Sequence, residues 1–349
     1  MGSPERAKVR VLVVDDVRTA RHLIRALLET DPAITVVGEA ADGAEAVRLA
    51  ARLRPDVITM DVLMPVLDGY VATQRIMAAQ PTAVVAVTSL PLDGGSVVAR
   101  MLEAGAVGII GKAFGRDPRA SERMRRELIA KVKAAARARG GVRGGGAQRA
   151  PARAARPRVP IRIVVVAAST GGPGALLELL RGLRDDLPCP VLVVQHIAPG
   201  FGQGLAEWLS ATSGRRVSVA RDGERIEPGR VYLAPDDHHL LITDRQVVRL
   251  KQTPPVHSLR PAADVLFGAA SQAFGAGVVA LVLSGMGNDG ADGARQVKAA
   301  QGLVLVQDEA TCAIYGMPKA TVEAGAADEV LPIGSIAGRV LELCTGETS

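Results

Sequence analysis

Two long stretches of the chain alternate short Val/Ile-rich runs with amphipathic helical patterns, and this alternation limits the possible folds more than any other feature. Between residues 8 and 128 the apolar runs are VRVLVVDD, ITVVGEA, DVITMD, AVVAVTS and VGII. The alternation resumes with IRIVVVAAS, CPVLVVQH, VVALVLS and LVLVQDE. Buried strands separated by helices are typical of a parallel sheet that helices cover on both faces. The sequence therefore predicts an α/β protein with two doubly wound parallel-sheet domains, a five-stranded one followed by a larger Rossmann-like one.

The predicted domains are 8–128 and 161–346, and the segment between them, 129–160, has a different composition. Residues 116–158 hold 14 Lys or Arg against 3 Asp or Glu, so the net charge of +6 originates here. The segment is rich in Arg, Ala, Gly and Pro and has few large apolar residues to offset the entropy cost of ordering. It also lacks aromatic residues and any base-reading module. We interpret 129–160 as a flexible linker and expect no nucleic-acid partner.

Composition limits the compartment in which the chain works. No stretch of the 349 residues reaches the roughly 18 consecutive apolar residues of a membrane span. The amino terminus, MGSPERAKVR, lacks the pattern of a secretory signal. Cys189, Cys312 and Cys344 are odd in number and have no metal-type spacing, which argues against both a disulfide framework and a zinc site. We expect a cytoplasmic protein without membrane insertion.

Acidic residues follow the strands of the first predicted domain. Asp15 and Asp16 end the first strand and Asp61 ends the third, while Thr88 ends the fourth and Lys112 follows the fifth. Because the carboxyl ends of parallel strands converge, the three carboxylates are expected to bind a hard divalent cation, above all Mg²⁺. Asp61 then becomes a candidate phosphoryl acceptor. Thr88 and Lys112 are expected to contact phosphoryl oxygens only in the phosphorylated state.

These residues resemble the response-regulator receiver family over 8–128, through VVDD, MDVLMPVLDG, VTS and the region of Lys112. The resemblance implies phosphorylation of Asp61 by a histidine kinase. The chain departs from the family pattern at Ala113, where proline usually follows the lysine, and at Ile109, where many receivers carry an aromatic residue.

In the second predicted domain, VVVAASTGGPGALLELL places Ser169 between a strand and a helix, with Thr170 in the turn. A serine there stands clear of the sheet, and nearby backbone amides and the helix amino terminus favour a developing oxyanion. The same turn equally suits a helix cap or a phosphate site. The turn alone therefore leaves a nucleophile and a binding loop as alternatives.

A base and an acid follow separate strands of the same predicted sheet. The run VLVVQH ends in His196, and VVALVLSGMGNDG carries Asp289 in a glycine-rich turn. Their expected meeting at one sheet edge suits a Ser-His-Asp triad, in which the acid orients the imidazole. His238 and His239 compete for the role of the base, but they occur in the polar segment APDDHHL, where we expect a surface or capping role. His257, in a proline-rich loop, is a further competitor.

The blocks AASTGG, QHIAPGF, DGERIEPGRVYLAPDDHHL, LRPAADVLF, LSGMGNDGADG and YGMPKA resemble the chemotaxis protein-glutamate methylesterase (CheB) family over roughly 161–346. The resemblance implies hydrolysis of γ-glutamyl methyl esters on methyl-accepting chemotaxis receptors, and often deamidation of receptor glutamines. It assigns Ser169 as nucleophile, His196 as base and Asp289 as orienting acid, with an oxyanion donor near Met286. It implies no cofactor for the ester chemistry.

Two other classes of function are weighed against this interpretation. The chain is alternatively a receiver-controlled docking module whose hydrolase domain is inactive. A DNA-binding regulator is suggested only by the Arg-rich segment, because the C-terminal half contains no helix-turn-helix pattern. The presence of all three triad residue types favours the enzyme.

Overall fold

A computed structural model of the chain describes residues 8–89, 95–112, 118–140 and 159–345. The chain divides into two compact units, 1–142 and 143–349. Each unit is built on its own parallel sheet, as the alternation of apolar runs and helical patterns predicts.

The first unit has five strands in the order β2-β1-β3-β4-β5, all of them parallel. Its strands are β1 (Val9–Val14), β2 (Ile34–Ala40), β3 (Val57–Met60), β4 (Ala83–Thr88) and β5 (Gly108–Gly111). Its helices are α1 (Arg18–Glu29), α2 (Gly43–Leu53), α3 (Gly69–Ala79), α4 (Gly95–Glu103) and α5 (Pro118–Gly140). The apolar strand residues form one cluster on each face of the sheet. The predicted five-stranded doubly wound domain is confirmed.

Helix α5 corrects the predicted boundary at residue 128, which lies inside this helix. Val132 and Ala135 are buried in the core of the first unit, and Lys131 donates a hydrogen bond to the carbonyl oxygen of Ile109 at 2.8 Å. The linker was predicted from the basic residues of this stretch, but apolar residues at helical spacing lie between them and indicate a helix. Residues 129–140 therefore belong to the first unit, and the rest of the predicted linker, 141–158, lies outside the described residues.

The second unit has a seven-stranded parallel sheet in the order β14-β13-β12-β6-β7-β9-β8, and a separate antiparallel hairpin of β10 and β11. Its strands are β6 (Ile163–Ala168), β7 (Val191–Gln195), β8 (Arg216–Val219), β9 (Arg230–Leu233), β10 (His239–Ile242), β11 (Val248–Lys251), β12 (Val278–Val282), β13 (Leu303–Gln307) and β14 (Glu329–Leu331). Its helices are α6 (Gly172–Gly182), α7 (Gly202–Ser213), α8 (Ala263–Phe274), α9 (Ala291–Ala299), α10 (Met317–Glu323) and α11 (Ile333–Thr345). Strands β12, β6 and β7 lie side by side at the centre, so the turns after them share one edge of the sheet.

All three cysteines are free thiols. Cys189 and Cys344 nevertheless lie close together, with 3.5 Å between their sulfur atoms. No helix in the described ranges is both long and apolar enough to cross a membrane.

Candidate active site and phosphoacceptor site

The turn after β6 places Ser169 at the carboxyl edge of the central sheet. Its amide donates to the carbonyl oxygen of Ser284 after β12 at 3.0 Å, which fixes the turn to the neighbouring strand. Gly171 follows with φ of +78°, and a Cβ there would come within 2.4 Å of Ala313. Glycine is needed at this position because it alone tolerates both the left-handed conformation and the close approach. Ser169 itself is 9% exposed, and its hydroxyl forms no hydrogen bond with any other described residue.

His196 and Asp289 are in direct contact, as the strand order predicts. His196 Nε2 lies 2.8 Å from Asp289 Oδ2. Asp289 is 1% exposed, and it also accepts hydrogen bonds from the amides of Ala263 and Asp264 at 2.7 and 3.0 Å. Because this contact uses Nε2, the second ring nitrogen, Nδ1, is left for proton transfer.

Asp289 is held in its ionised form. Burial by itself raises the pKa of this carboxyl group, but the hydrogen bond and charge of His196 and the amides of Asp264 and Ala263 outweigh burial, so that the pKa of Asp289 lies below its usual value. A carboxylate fixed in this way can orient an imidazole and stabilise it when it becomes positively charged.

Two backbone amides near Ser169 are available to an oxyanion. Within the described residues, the amides of Thr170 and Met286 donate no hydrogen bond, whereas the amide of Gly285 donates to Ile314. A Cβ on Gly285 would lie 2.9 Å from the Cβ of Ser169, so the loop that carries Met286 packs directly against the serine. Backbone amides that lack a partner and lie beside a serine nucleophile are candidates for stabilising a tetrahedral oxyanion.

Sequence reasoning missed the polar residues that tie these turns together. Gln195, the last residue of β7, donates to the carbonyl oxygens of Ser169 and His196 at 2.7 and 2.9 Å. The hydroxyl of Ser284 donates to the carbonyl oxygen of Thr170 at 2.8 Å, and its amide donates to the side chain of Gln307 at 2.7 Å. The only signal for Gln195 is its position beside His196 at the end of an apolar run, and Ser284 and Gln307 give none.

The competing histidines have other partners. His239 was expected to have a surface or capping role, but it is fully buried at the start of β10, where its ring contacts the amide of Ala262 and the carbonyl oxygen of Pro254, both at 3.2 Å. His238 contacts the backbone oxygen of Asp236 at 2.9 Å. His257 Nε2 lies 3.4 Å from a different acid, Asp264. His196 is therefore the histidine that pairs with Asp289.

In the first unit, the predicted acidic residues meet at the carboxyl edge of the sheet. Asp15, Asp16 and Asp61 each offer a carboxylate oxygen within 4.8 Å of the others. Lys112 Nζ lies 2.6 Å from Asp15 Oδ2 and 2.7 Å from Asp61 Oδ2. Oxygen ligands at this spacing fit a hard divalent cation such as Mg²⁺.

Thr88 lies beside this cluster, 1% exposed at the end of β4, and its carbonyl oxygen accepts the amide of Lys112 at 2.7 Å. Ile109 is buried on β5. Ala113 lies outside the described residues.

Asp61 is 6% exposed, and its burial destabilises the ionised form. Burial raises the pKa of Asp61 and repulsion from Asp15 adds to the increase, although Lys112 opposes it. An acid whose pKa is higher in the folded state reduces the free energy of unfolding as pH rises above its unfolded value. At neutral pH and without a bound cation, Asp61 is therefore a source of instability in the first unit.

Replacing Asp61 by Asn is accordingly expected to raise the melting temperature of the first unit by a few degrees, because the amide keeps the shape and removes the charge. The measurement is calorimetric unfolding of the full chain at pH 7 in EDTA. Asp42→Asn is the matched control: Asp42 caps α2 by accepting the amide of Glu45 at 2.8 Å, and asparagine caps equally well. A melting temperature that falls in Asp61→Asn would contradict the argument.

Each of the two units matches a known protein family. Residues 164–340 match the family model for CheB methylesterase, and residues 11–120 match the model for the response regulator receiver domain. The chain is 42% identical, over 95% of its length and 96% of the relative's, to a protein of Symbiobacterium thermophilum named protein-glutamate methylesterase/protein-glutamine glutaminase. It is 46% identical, over 95% of its length and 98% of the relative's, to a protein of Anaeromyxobacter dehalogenans with the same name and the number 3.

Among solved structures, the crystal structure of the Thermotoga maritima CheB methylesterase catalytic domain matches with a TM-score of 0.52 at 40% identity, covering 53% of this chain and all of that one. That structure is of a catalytic domain alone, and in this chain the second unit carries Ser169, His196 and Asp289. The chain belongs to the CheB methylesterase family, with a receiver domain preceding its catalytic domain.

Proposed function

We propose that this chain is a phosphorylation-activated serine hydrolase that removes methyl groups from γ-glutamyl methyl esters of methyl-accepting chemotaxis receptors. The observation that carries the proposal is the pairing of His196 with the buried, ionised Asp289 at 2.8 Å, on the sheet edge that also carries Ser169. Relatives at 42% and 46% identity are named protein-glutamate methylesterases, which supports the choice of ester.

In the proposed mechanism, Ser169 Oγ attacks the carbonyl carbon of the ester while His196 accepts the hydroxyl proton. The amides of Thr170 and Met286 stabilise the oxyanion, and Asp289 stabilises the charged imidazole. His196 then returns the proton to the leaving oxygen and methanol departs. Water, deprotonated by His196, hydrolyses the acyl-enzyme and leaves a glutamate carboxylate.

The same chemistry extends to glutamine side chains. An amide carbonyl passes through the same acyl-enzyme, and ammonia leaves in place of methanol. These two relatives are also named protein-glutamine glutaminases, and we propose this as a second activity of the same site.

We propose that Asp61 is phosphorylated by a histidine kinase, with Asp15, Asp16 and Asp61 as the residues that hold Mg²⁺. Bound Mg²⁺ would neutralise charge on the phosphoryl oxygens. Lys112, which lies 2.7 Å from Asp61 in the unphosphorylated chain, then pairs with a phosphoryl oxygen, and the hydroxyl of Thr88 donates to another. A kinase phosphodonor requires access to ATP, so we place the protein in the cytoplasm.

A small phosphodonor such as acetyl phosphate, with Mg²⁺, is expected to raise the esterase rate. Allosteric coupling of 1–3 kcal/mol corresponds to an increase of about 5- to 150-fold. The measurement is methanol release from methylated chemoreceptor membranes with and without the phosphodonor. Asp61→Asn is expected to abolish the stimulation and keep the unstimulated rate, and Asp42→Asn is expected to retain both. Stimulation that persists in Asp61→Asn would contradict the assigned phosphorylation site.

A further inference from the structure

The catalytic acid is held by the first turn of α8. The amides of Ala263 and Asp264, the first two residues of this 12-residue helix, donate to the two oxygens of Asp289. Their directed hydrogen bonds and the favourable partial charge of the helix amino terminus both stabilise the ionised acid. The orientation of Asp289 towards His196 therefore depends on where α8 begins.

A second carboxylate makes the reciprocal contact. Asp264 Oδ1 accepts the amides of Gly290 and Gly293 at 3.0 and 2.7 Å, so it caps α9 immediately after the catalytic acid. A Cβ on Gly293 would lie 2.6 Å from the Cβ of Phe267 and 3.0 Å from the Cα of Asp264, so the two helix starts are in close contact. Two backbone amides of α8 therefore bind the carboxylate of Asp289, and the carboxylate of Asp264 on α8 binds two backbone amides that follow Asp289.

Burial of Asp264 near other carboxylates destabilises the folded chain when Asp264 is ionised. Asp264 is 8% exposed, and burial, followed by repulsion from Asp289 and Asp292, raises its pKa, even though the amide of Gly293 lowers it. Asp264 Oδ2 forms no hydrogen bond with any described residue, and lies 3.4 Å from His257 Nε2. Burying a carboxylate beside another carboxylate lowers the free energy of unfolding. Because Asp264 lies against the catalytic acid, this cost indicates a role in function.

We propose that Asp264 is a positioning residue of the esterase, which acts through Asp289 by keeping α8 and the loop before α9 in register. The inference rests on the proposed function. A displacement of Asp289 of about 1 Å from His196 is enough to cost about 100-fold in rate. Asp264→Ala is therefore expected to lower kcat by about 10- to 100-fold with little change in KM, because Asp264 is buried and its hydrogen bonds are with the backbone that follows Asp289.

A conservative substitution distinguishes the effect of losing the hydrogen bonds of Asp264 from the effect of losing its charge. Both amides bind the single oxygen Oδ1, so an asparagine that presents its carbonyl oxygen there keeps both hydrogen bonds. Asp264→Asn is therefore expected to retain kcat within about threefold of wild type. Glu323→Ala is the matched control, because Glu323 is an exposed carboxylate on α10 that pairs with Lys319 at 3.6 Å.

The decisive experiment is a double-mutant cycle on methanol release, with Asp264→Ala in wild type and in Asp289→Ala. If Asp264 acts through Asp289, its removal is expected to cost less than threefold once Asp289 is absent. An equal loss in both backgrounds, or a loss in Asp264→Asn as large as in Asp264→Ala, would overturn the proposal. Thermal unfolding of each variant establishes that it folds. An inactive wild type would contradict the proposed function instead, so the two failures are distinguishable.

Discussion

Replacement of Ser169 by alanine is expected to lower methanol release from methylated receptors by about 10⁴-fold or more, because the residue that forms the covalent intermediate is lost. The oxyanion amides and the His196–Asp289 pair remain in place, so binding of the receptor is expected to persist. The measurement is methanol release by equal amounts of wild-type and variant full-length protein.

The matched control is Ser213→Ala, which removes a serine hydroxyl from α7 that donates only to the carbonyl oxygen of Leu209 and accepts the amide of Arg215. Ser213→Ala is expected to keep the wild-type rate. A Ser169→Ala protein that retains a tenth of the wild-type rate would exclude the serine mechanism and would favour a docking module or a different nucleophile.

Asp289→Asn is expected to lower the esterase rate by about 10³- to 10⁴-fold. Both oxygens of Asp289 accept hydrogen bonds, Oδ1 from the amide of Asp264 and Oδ2 from the amide of Ala263. Asparagine has only one acceptor oxygen, so its NH₂ group must face an N–H donor. The variant thus loses the charge that stabilises the imidazolium and leaves buried donors unpaired.

The size of this effect is measured as kcat with receptor membranes at saturating concentration. Because the pKa of Asp289 is depressed in the folded chain, its contribution to the free energy of unfolding is present above the unfolded value and is lost as pH falls through the folded value. Asp289→Asn is accordingly expected to reduce stability at pH 7 more than at pH 3. Asp328→Asn is the control, since Asp328 is an acid that pairs with Lys298 away from the triad. A variant with an unchanged rate would remove Asp289 from the mechanism.

The alternation of apolar runs and helices was sufficient to predict both parallel sheets, because the burial of a strand on both faces leaves a continuous Val/Ile signal in the sequence. The convergence of Asp15 and Asp61, and of His196 and Asp289, followed from the rule that strand ends in parallel sheets meet at one edge. These predictions depend only on where each residue lies relative to its own strand.

Other features depended on contacts between distant segments, which a single sequence does not reveal. Asp264 lies within the first turn of α8, and its hydrogen bonds to Gly290 and Gly293 exist only because α8 and α9 pack against each other. His239 occurs in a polar segment, but the ring is buried because the amide of Ala262 supplies a partner inside the protein. Such polar groups are placed by tertiary packing, which overrides the local polarity pattern.

The boundary after the first unit was wrong for a related reason. The charge of the segment that follows residue 128 suggested a solvated linker, but apolar residues at helical spacing bury one face of α5 in the core. Long basic side chains lie along the outer face of such a helix, where Lys133 pairs with Asp31 at 2.8 Å. Periodicity is a better guide than net charge in a segment of this kind.

Hydrolysis of glutamyl methyl esters through Ser169 can be followed on the receptor itself. Methylated receptor membranes are incubated with wild type, Ser169→Ala or Ser213→Ala, with acetyl phosphate and Mg²⁺, and mass spectrometry follows each modified glutamyl residue. We expect conversion of methyl esters to carboxylates by wild type and Ser213→Ala, and intact esters with Ser169→Ala. Intact esters with all three proteins, or equal conversion by all three, would contradict this expectation.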